Sequence, residues 1–277
     1  NPLPLFLIIV SLPLLLGGCG EKPAAEPVVE TKPVDEAPIN SIKYKITGDE
    51  VTITSCDKKA SGTLTIPATI EGKTVTSIGN NAFWFCTSLT NITIGDSVTS
   101  IGKDAFGYCG LLTSITIPDS VTSIGAKAFF HCYSLTSIII PDSVTSIGNE
   151  AFRDCTSLTS ITIPDGVTSI GNNAFWRCSS LTTITIPDSI TTIGSSAFGY
   201  CSLLTSITIP DSVSVIGLAA FSGCKSLTTV NFLGDAPRVS DFPFSINEPT
   251  TIYRKADAKG WGPTFGRKPV KIITEKP

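Results

Sequence analysis

From Ile78 to Phe232 the apolar positions recur every 23 residues without a slip of register. One unit reads Ile147-Gly-Asn-Glu-Ala-Phe152-Arg-Asp-Cys155-Thr-Ser-Leu158-Thr-Ser-Ile161-Thr-Ile163-Pro-Asp-Gly-Val167-Thr-Ser. Within it, Ile161 and Ile163 alternate with an outward Thr162, the period-2 pattern of a half-buried strand led in by Leu158. Pro164-Asp165-Gly166 reads as a turn. Val167 and Ile170 begin a second short extended run that Gly171 closes. Ala151, Phe152 and Cys155 have the three-to-four spacing of one inward-facing helical turn. Each unit is therefore expected to be one coil that points about eight apolar side chains at its axis. A coil this small cannot enclose its own core, so neighbours must stack and share ladder hydrogen bonds.

Two columns mark the period. Phenylalanine occupies positions 83, 106, 129, 152, 175, 198 and 221, and cysteine follows three residues later at Cys86, Cys109, Cys132, Cys155, Cys178, Cys201 and Cys224. A longer period is superposed. Ile78-Gly-Asn-Asn-Ala-Phe-Trp84 recurs as Ile170 to Trp176, and Gly107-Tyr108-Cys109 as Gly199-Tyr200-Cys201, both four units on. A four-unit block has been duplicated, and on that reading Trp84 and Trp176 are equivalent positions.

The pattern Leu-x-x-Ile-x-Ile-Pro-x-x-Val-x-x-Ile-Gly-x-x-Ala-Phe-x-x-Cys resembles the 23-residue, BspA-like class of leucine-rich repeat. The flanks resemble that family as well: residues 41–77, with Gly48-Asp49-Glu50-Val51-Thr52-Ile53, look like its β-rich N-terminal cap. Residues 233–277, with Thr251-Ile-Tyr253 and Gly260-Trp261-Gly262, look like its closing element. The expected fold is a leucine-rich-repeat solenoid of seven repeats over 78–232, mostly β, built of short parallel strands and short helical turns. The resemblance implies right-handed coils and a bacterial surface protein whose relatives adhere to host or neighbouring-cell proteins. Fold alone does not fix function.

The N-terminal forty residues have a different composition. Leu3 to Leu16 is almost wholly apolar and too short to span a bilayer comfortably. It ends in Leu16-Gly17-Gly18-Cys19, which resembles a bacterial lipobox, so residues 1–19 are read as an export signal with Cys19 the lipidated residue. No Met occurs anywhere, and the reading frame is expected to begin upstream of Asn1. Residues 20–40 carry four prolines and five acidic residues among small ones, an extended disordered tether by composition. The protein is thus expected to be exported, at the bacterial cell surface or outer membrane, and to meet the membrane only through a lipid anchor.

Charge narrows the function classes. With a net charge of −3 and an isoelectric point near 5.2, the chain lacks the clustered basic face of a nucleic-acid binder. The single histidine, His131, has no triad or metal partner recognisable in the sequence, and no phosphate loop, dinucleotide fingerprint or nucleophile elbow is present. No enzyme activity, cofactor or metal is expected. Cysteines in one line do not converge as tetrahedral zinc ligands do. We read them as buried thiols that pack as small hydrophobes, with disulfides between neighbouring coils the alternative in an exported protein. Cys56 stands outside the column, and its pairing is open. The aspartates 96, 119, 142, 165, 188 and 211 read as turn residues with solvated carboxylates rather than a calcium ladder. The threonines 93, 116, 162, 185 and 208, a column broken by Ile139, and 90, 113, 136, 159 and 182 beside it read as outward strand residues rather than an ice-binding array.

What the coil does not dictate is the pair between each Phe and Cys, expected to face outward. Along the stack these are Trp84-Phe85, Gly107-Tyr108, Phe130-His131, Arg153-Asp154, Trp176-Arg177, Gly199-Tyr200 and Ser222-Gly223. Aromatics and arginine dominate binding hot spots. Trp84, Phe85, Tyr108, Phe130, His131, Trp176, Arg177 and Tyr200 are therefore the candidate contacts to a protein or glycan partner on a cell or matrix surface. The alternative is a structural envelope protein without a specific soluble ligand, its rings merely covering neighbouring turns.

Overall fold

The computed structural model describes residues 37–240, 242–245 and 249–273. The export signal, Cys19 and all of the tether but its last four residues lie outside them. The described residues form one unit, a β-solenoid of about nine turns. Its only helix among the described residues is a single 3-10 turn, Ile39–Ser41. Among the described residues no helix is long and apolar enough to cross a membrane.

The two extended runs of each coil build two ladders. In one, Asn91 to Thr93 pairs with Ser114 to Thr116, Ser160 to Thr162 with Thr183 to Thr185, and Ser206 to Ile209 with Thr229 to Phe232, all parallel and all 23 residues apart. In the other, Ser77-Ile78, Ser100-Ile101, Ser123-Ile124 and Ser146-Ile147 stack in the same way. Leu158, Ile161, Ile163, Val167, Ile170, Ala151, Phe152 and Cys155 are all buried, so the inward set is the one the spacing marks. The seven phenylalanines form a continuous internal stack that runs on to Phe244, with centroids 5.1–5.5 Å apart and rings within 14° of parallel.

The segment expected to make a helical turn does not. Alternate amides leave the coil: Glu150, Phe152 and Asp154 donate to the carbonyls of Asn172, Ala174 and Trp176 in the next coil. Arg153 and Cys155 donate three residues back, closing reverse turns. Stacked coils must satisfy every buried amide, and a helix would have used these donors internally. The turns place two residues per coil in the left-handed region, such as Glu150 at φ 59° and Asp154 at φ 61°. The second of these belongs to each outward pair.

The ladders also run past the strict repeat. In the N-terminal cap Ser61–Ile66 pairs in parallel with Ser88–Ile94, and Glu50–Cys56 with Lys73–Ile78. At the other end Thr229–Phe232 continues to Thr251–Arg254 and then to Lys268–Ile272. A strand needs only apolar residues in alternation and a free neighbour edge, so the ladder tolerates sequences that have lost the consensus.

One seam interrupts the second ladder. Ser146–Ile147 and Ser169–Ile170 belong to different sheets among the described residues, Ile147 is only half-buried, and a small void lies between Ile147, Ile163, Val167, Ile170 and Phe175. The seam falls where the duplicated four-unit blocks meet, and a missing hydroxyl accompanies it. Ser120, Ser143, Ser189 and Ser212 each donate at 2.6–2.7 Å to a carbonyl 22 residues back. The corresponding residue of this coil is Gly166, whose missing Cβ would stand 3.1 Å from the Val144 carbonyl oxygen. Gly166→Ser is expected to restore that bond and stabilise the fold by about 1 kcal/mol, raising Tm by about 2–4 °C. An unchanged or lower melting temperature would show that the seam has another cause.

Candidate binding surface

The reverse turns between Phe and Cys aim the paired side chains along the solenoid, so that each meets its counterpart in the next coil. In the left-handed column the Phe85 and Tyr108 rings stack at 4.4 Å and 11°, and Tyr108 and His131 at 4.6 Å. In the column beside it, Trp84 meets Phe85 and Tyr108 edge-on, and Phe130 meets Tyr108 and His131 in the same way. Trp84 is 40% exposed. The result is a ridge of interlocked rings over the first three repeats.

Halfway along, the ridge changes chemistry. Asp154, expected outward, is 2% exposed. Its carboxylate is roofed by Arg153 (Nε 3.4 Å), Arg177 (Nη1 3.5 Å) and His131 (Nε2 3.8 Å). Removing either arginine from a carboxylate buried this deeply would leave it short of compensating charge. The Arg153 guanidinium lies over Phe130 at 5.4 Å and over Trp176 at 4.5 Å, and also pairs with Glu150. Burial holds the His131 imidazole below its ordinary value, opposed by Asp154 and assisted by Arg153 and Arg177. The ring shares a hydrogen bond between Nδ1 and the Tyr133 hydroxyl.

The two tryptophans share one feature and differ in another. Each lies against a glycine of the next coil: a Cβ on Gly107 would stand 3.0 Å from Trp84, and one on Gly199 2.8 Å from Trp176. Trp176, however, is packed between Arg153 and Arg177, at 4.5 and 5.2 Å, and is less exposed than Trp84, whereas Trp84 has aromatic neighbours. The expected equivalence is lost because coil-to-coil contacts depend on the neighbouring pair, and Arg153-Asp154 occurs once. Tyr200 is 51% exposed, and its ring lies over Gly223. Tyr133, half out of the ridge beside His131, escaped the sequence reading because it follows Cys132, a position held by Thr, Gly, Ser or Lys in other coils.

The remaining columns are structural. Each Cys from Cys109 to Cys224 donates its Sγ hydrogen at 3.0–3.2 Å to the phenylalanine carbonyl 26 residues back, so these thiols bond between coils as well as filling space. Burial pushes the Cys109 thiol up to about 12 and raises those of Cys132, Cys155, Cys178 and Cys201 well above the ordinary range. Thr113, Thr136, Thr159 and Thr182 donate to the carbonyl of the threonine one coil earlier. The six aspartates of the turn column are exposed. Among the described residues no three His, Cys, Asp or Glu side chains gather as metal ligands. Ile139, 83% exposed, stands alone in its threonine column.

The family model for the BspA type leucine-rich repeat region matches the chain in six copies, over residues 60–139 and 122–249. No curated protein matches it. Among solved structures, a leucine-rich cell surface protein of Faecalibacterium prausnitzii A2-165 is 39% identical, with a TM-score of 0.63 over 75% of this chain and 55% of that one. The chain therefore spans about half the length of that relative. A leucine-rich-repeat protein of T. pallidum is 30% identical, with a TM-score of 0.53 over 72% of this chain and 86% of its own. A third, from Bacteroides ovatus, is 24% identical at a TM-score of 0.53, covers 85% and 76%, and shares the fold. The repeat signature, the coil that carries it and these likenesses agree: the chain belongs to the BspA-type leucine-rich-repeat family.

Proposed function

We propose that this is an exported, lipid-anchored surface protein that binds a protein or glycan partner through the ridge around Trp84. The observation that carries the reading is the exposure of interlocked rings where the coil itself demands none. Trp84, Phe85 and Tyr200 keep two-fifths or more of their surface in water. A purely structural covering would have buried them, and exposed apolar clusters of this kind mark interaction sites. The likeness to a cell surface protein and the Leu-Gly-Gly-Cys ending before Cys19 support the location and the anchor. The role is that of a binding scaffold rather than an enzyme.

The test begins in cells bearing the chain behind a complete signal. Cys19→Ala is expected to move it from the membrane to the soluble fraction; continued membrane retention counts against the anchor. The released protein then serves in pull-downs against matrix proteins, matrix glycans and the producer's own surface. Trp84→Ala is expected to weaken capture about thirtyfold, the loss of one aromatic anchor worth about 2 kcal/mol, with the melting temperature little changed. Trp176→Ala is expected to weaken it less and to destabilise more, since that ring is already engaged by two guanidiniums. Unchanged capture by the Trp84 variant would return the ridge to a structural role.

A further inference from the structure

Cys86 is the one member of the cysteine column without a repeat beneath it. Twenty-six residues earlier, where each later cysteine finds a phenylalanine carbonyl, stands Ala60 of the N-terminal cap. Its sulfur turns instead to the cap, lying 4.0 Å from the carbonyl oxygen of Cys56 and 3.9 Å from that of Asp57. The Cys56 sulfur meets the same Asp57 oxygen at 3.5 Å, so both sulfurs converge on one carbonyl. Lys58 Nζ stands 3.9 Å from the Cys86 sulfur and also donates to the Trp84 carbonyl. We infer that Cys56 and Cys86 are an oxidisable pair that forms a disulfide between the N-terminal cap and the first repeat.

The rest of the column is engaged more tightly, at 3.0–3.2 Å against 3.9–4.0 Å for Cys86. From Cys109 onward every thiol is committed to a carbonyl, and Cys109 to Cys201 are held protonated by burial. Within the pair the Cys86 thiol holds Cys56 below its ordinary value, helped by Lys58 against burial, while Cys56 and burial raise Cys86. Both thiols are buried in the folded chain, so it is before the cap has docked, or when it opens, that Cys56 attacks as the thiolate. It displaces one sulfur of an external disulfide, a small-molecule or dithiol-oxidase disulfide, and releases it as a thiol. The Cys86 thiolate then attacks the Cys56 sulfur of the mixed disulfide and expels the second. The external disulfide takes up two electrons and the two protons that the cysteines give up, and one sulfur–sulfur bond replaces another. The link closes a loop of about 30 residues. It would tie the cap covalently to the first coil, beside Trp84, in addition to the strand pairing that already joins them.

The experiment uses the full chain, once folded and once refolded from denaturant, in excess oxidised glutathione. Both samples are then unfolded, free thiols are trapped by alkylation, and peptides are mapped by mass. The expected result in at least one sample is a loss of about 2 Da in a peptide pair joining Cys56 to Cys86, with Cys109 to Cys201 alkylated. The melting temperature is expected to rise by roughly 10 °C on oxidation, and Cys56→Ser to abolish that rise. A cross-link confined to another pair, or none in either sample, overturns the inference.

Discussion

Gly148→Ala is expected to be among the most damaging single substitutions in this protein, although it adds one methyl group. The new Cβ would stand 2.3 Å from the Ala126 backbone nitrogen and 2.5 Å from its Cα, in the coil before. These are backbone atoms of a close-packed stack and cannot swing aside. Gly148 also donates to the Ile124 carbonyl at 2.9 Å, so the coils must part and lose that bond together with the Ser123–Ser146 pairing. Overpacking of this kind costs about 3 kcal/mol or more, which lowers Tm by about 10 °C in a domain of this size. Gly110→Ala is the control. Its Cβ would meet only the Tyr133 ring, at 3.7 Å, and is expected to change stability by less than about 0.5 kcal/mol. Thermal melts of the two variants decide the matter, and equal effects would refute the packing argument.

The second large effect is expected at the centre of the phenylalanine stack. Phe152 is fully buried, with Phe129 on one side at 5.3 Å and Phe175 on the other at 5.5 Å. Phe152→Ala removes both ring contacts and leaves a cavity between two coils, at a cost of about 3–5 kcal/mol. Because coils interact only with their neighbours, the damage is expected to divide the array. Hydrogen exchange would show protection lost first around residues 147–178, and calorimetry a broadened or split transition. Phe83→Ala, at the end of the stack with a single ring neighbour in Phe106, is expected to leave the transition single. A single sharp transition for both variants would mean that the stack unfolds as one unit whatever its middle holds.

The Gly148 column is also a place where the sequence had spoken without being fully legible. A glycine after each isoleucine reads as the end of a strand, yet among the described coils its function is close approach. The glycines at 102, 125, 148, 171, 194 and 217 would all bring a Cβ within 2.8 Å of an atom of the preceding coil. Sequence shows the recurrence; only the stacked backbone shows what the missing side chain makes room for.

The repeat, its 23-residue length, the inward set of each coil, the stacking of coils and the family were all legible in the chain's periodicity. Periodicity is a property of the chain, and burial of one face per coil follows from it directly. Three things were decided only in the tertiary structure. Amides expected to close a helical turn at Phe152 reach the next coil instead, because hydrogen-bond partners 22 residues away compete with those four residues away only when the stack exists. Asp154 lies buried although its position in the unit is outward, because Arg177 and His131 come from the coils on either side. Trp84 and Trp176 occupy the same place in duplicated blocks and have different surroundings for the same reason. In a solenoid the core is written within each repeat, whereas the surface is made by side chains that meet across repeats, and their chemistry is set by pairs of coils rather than by either one.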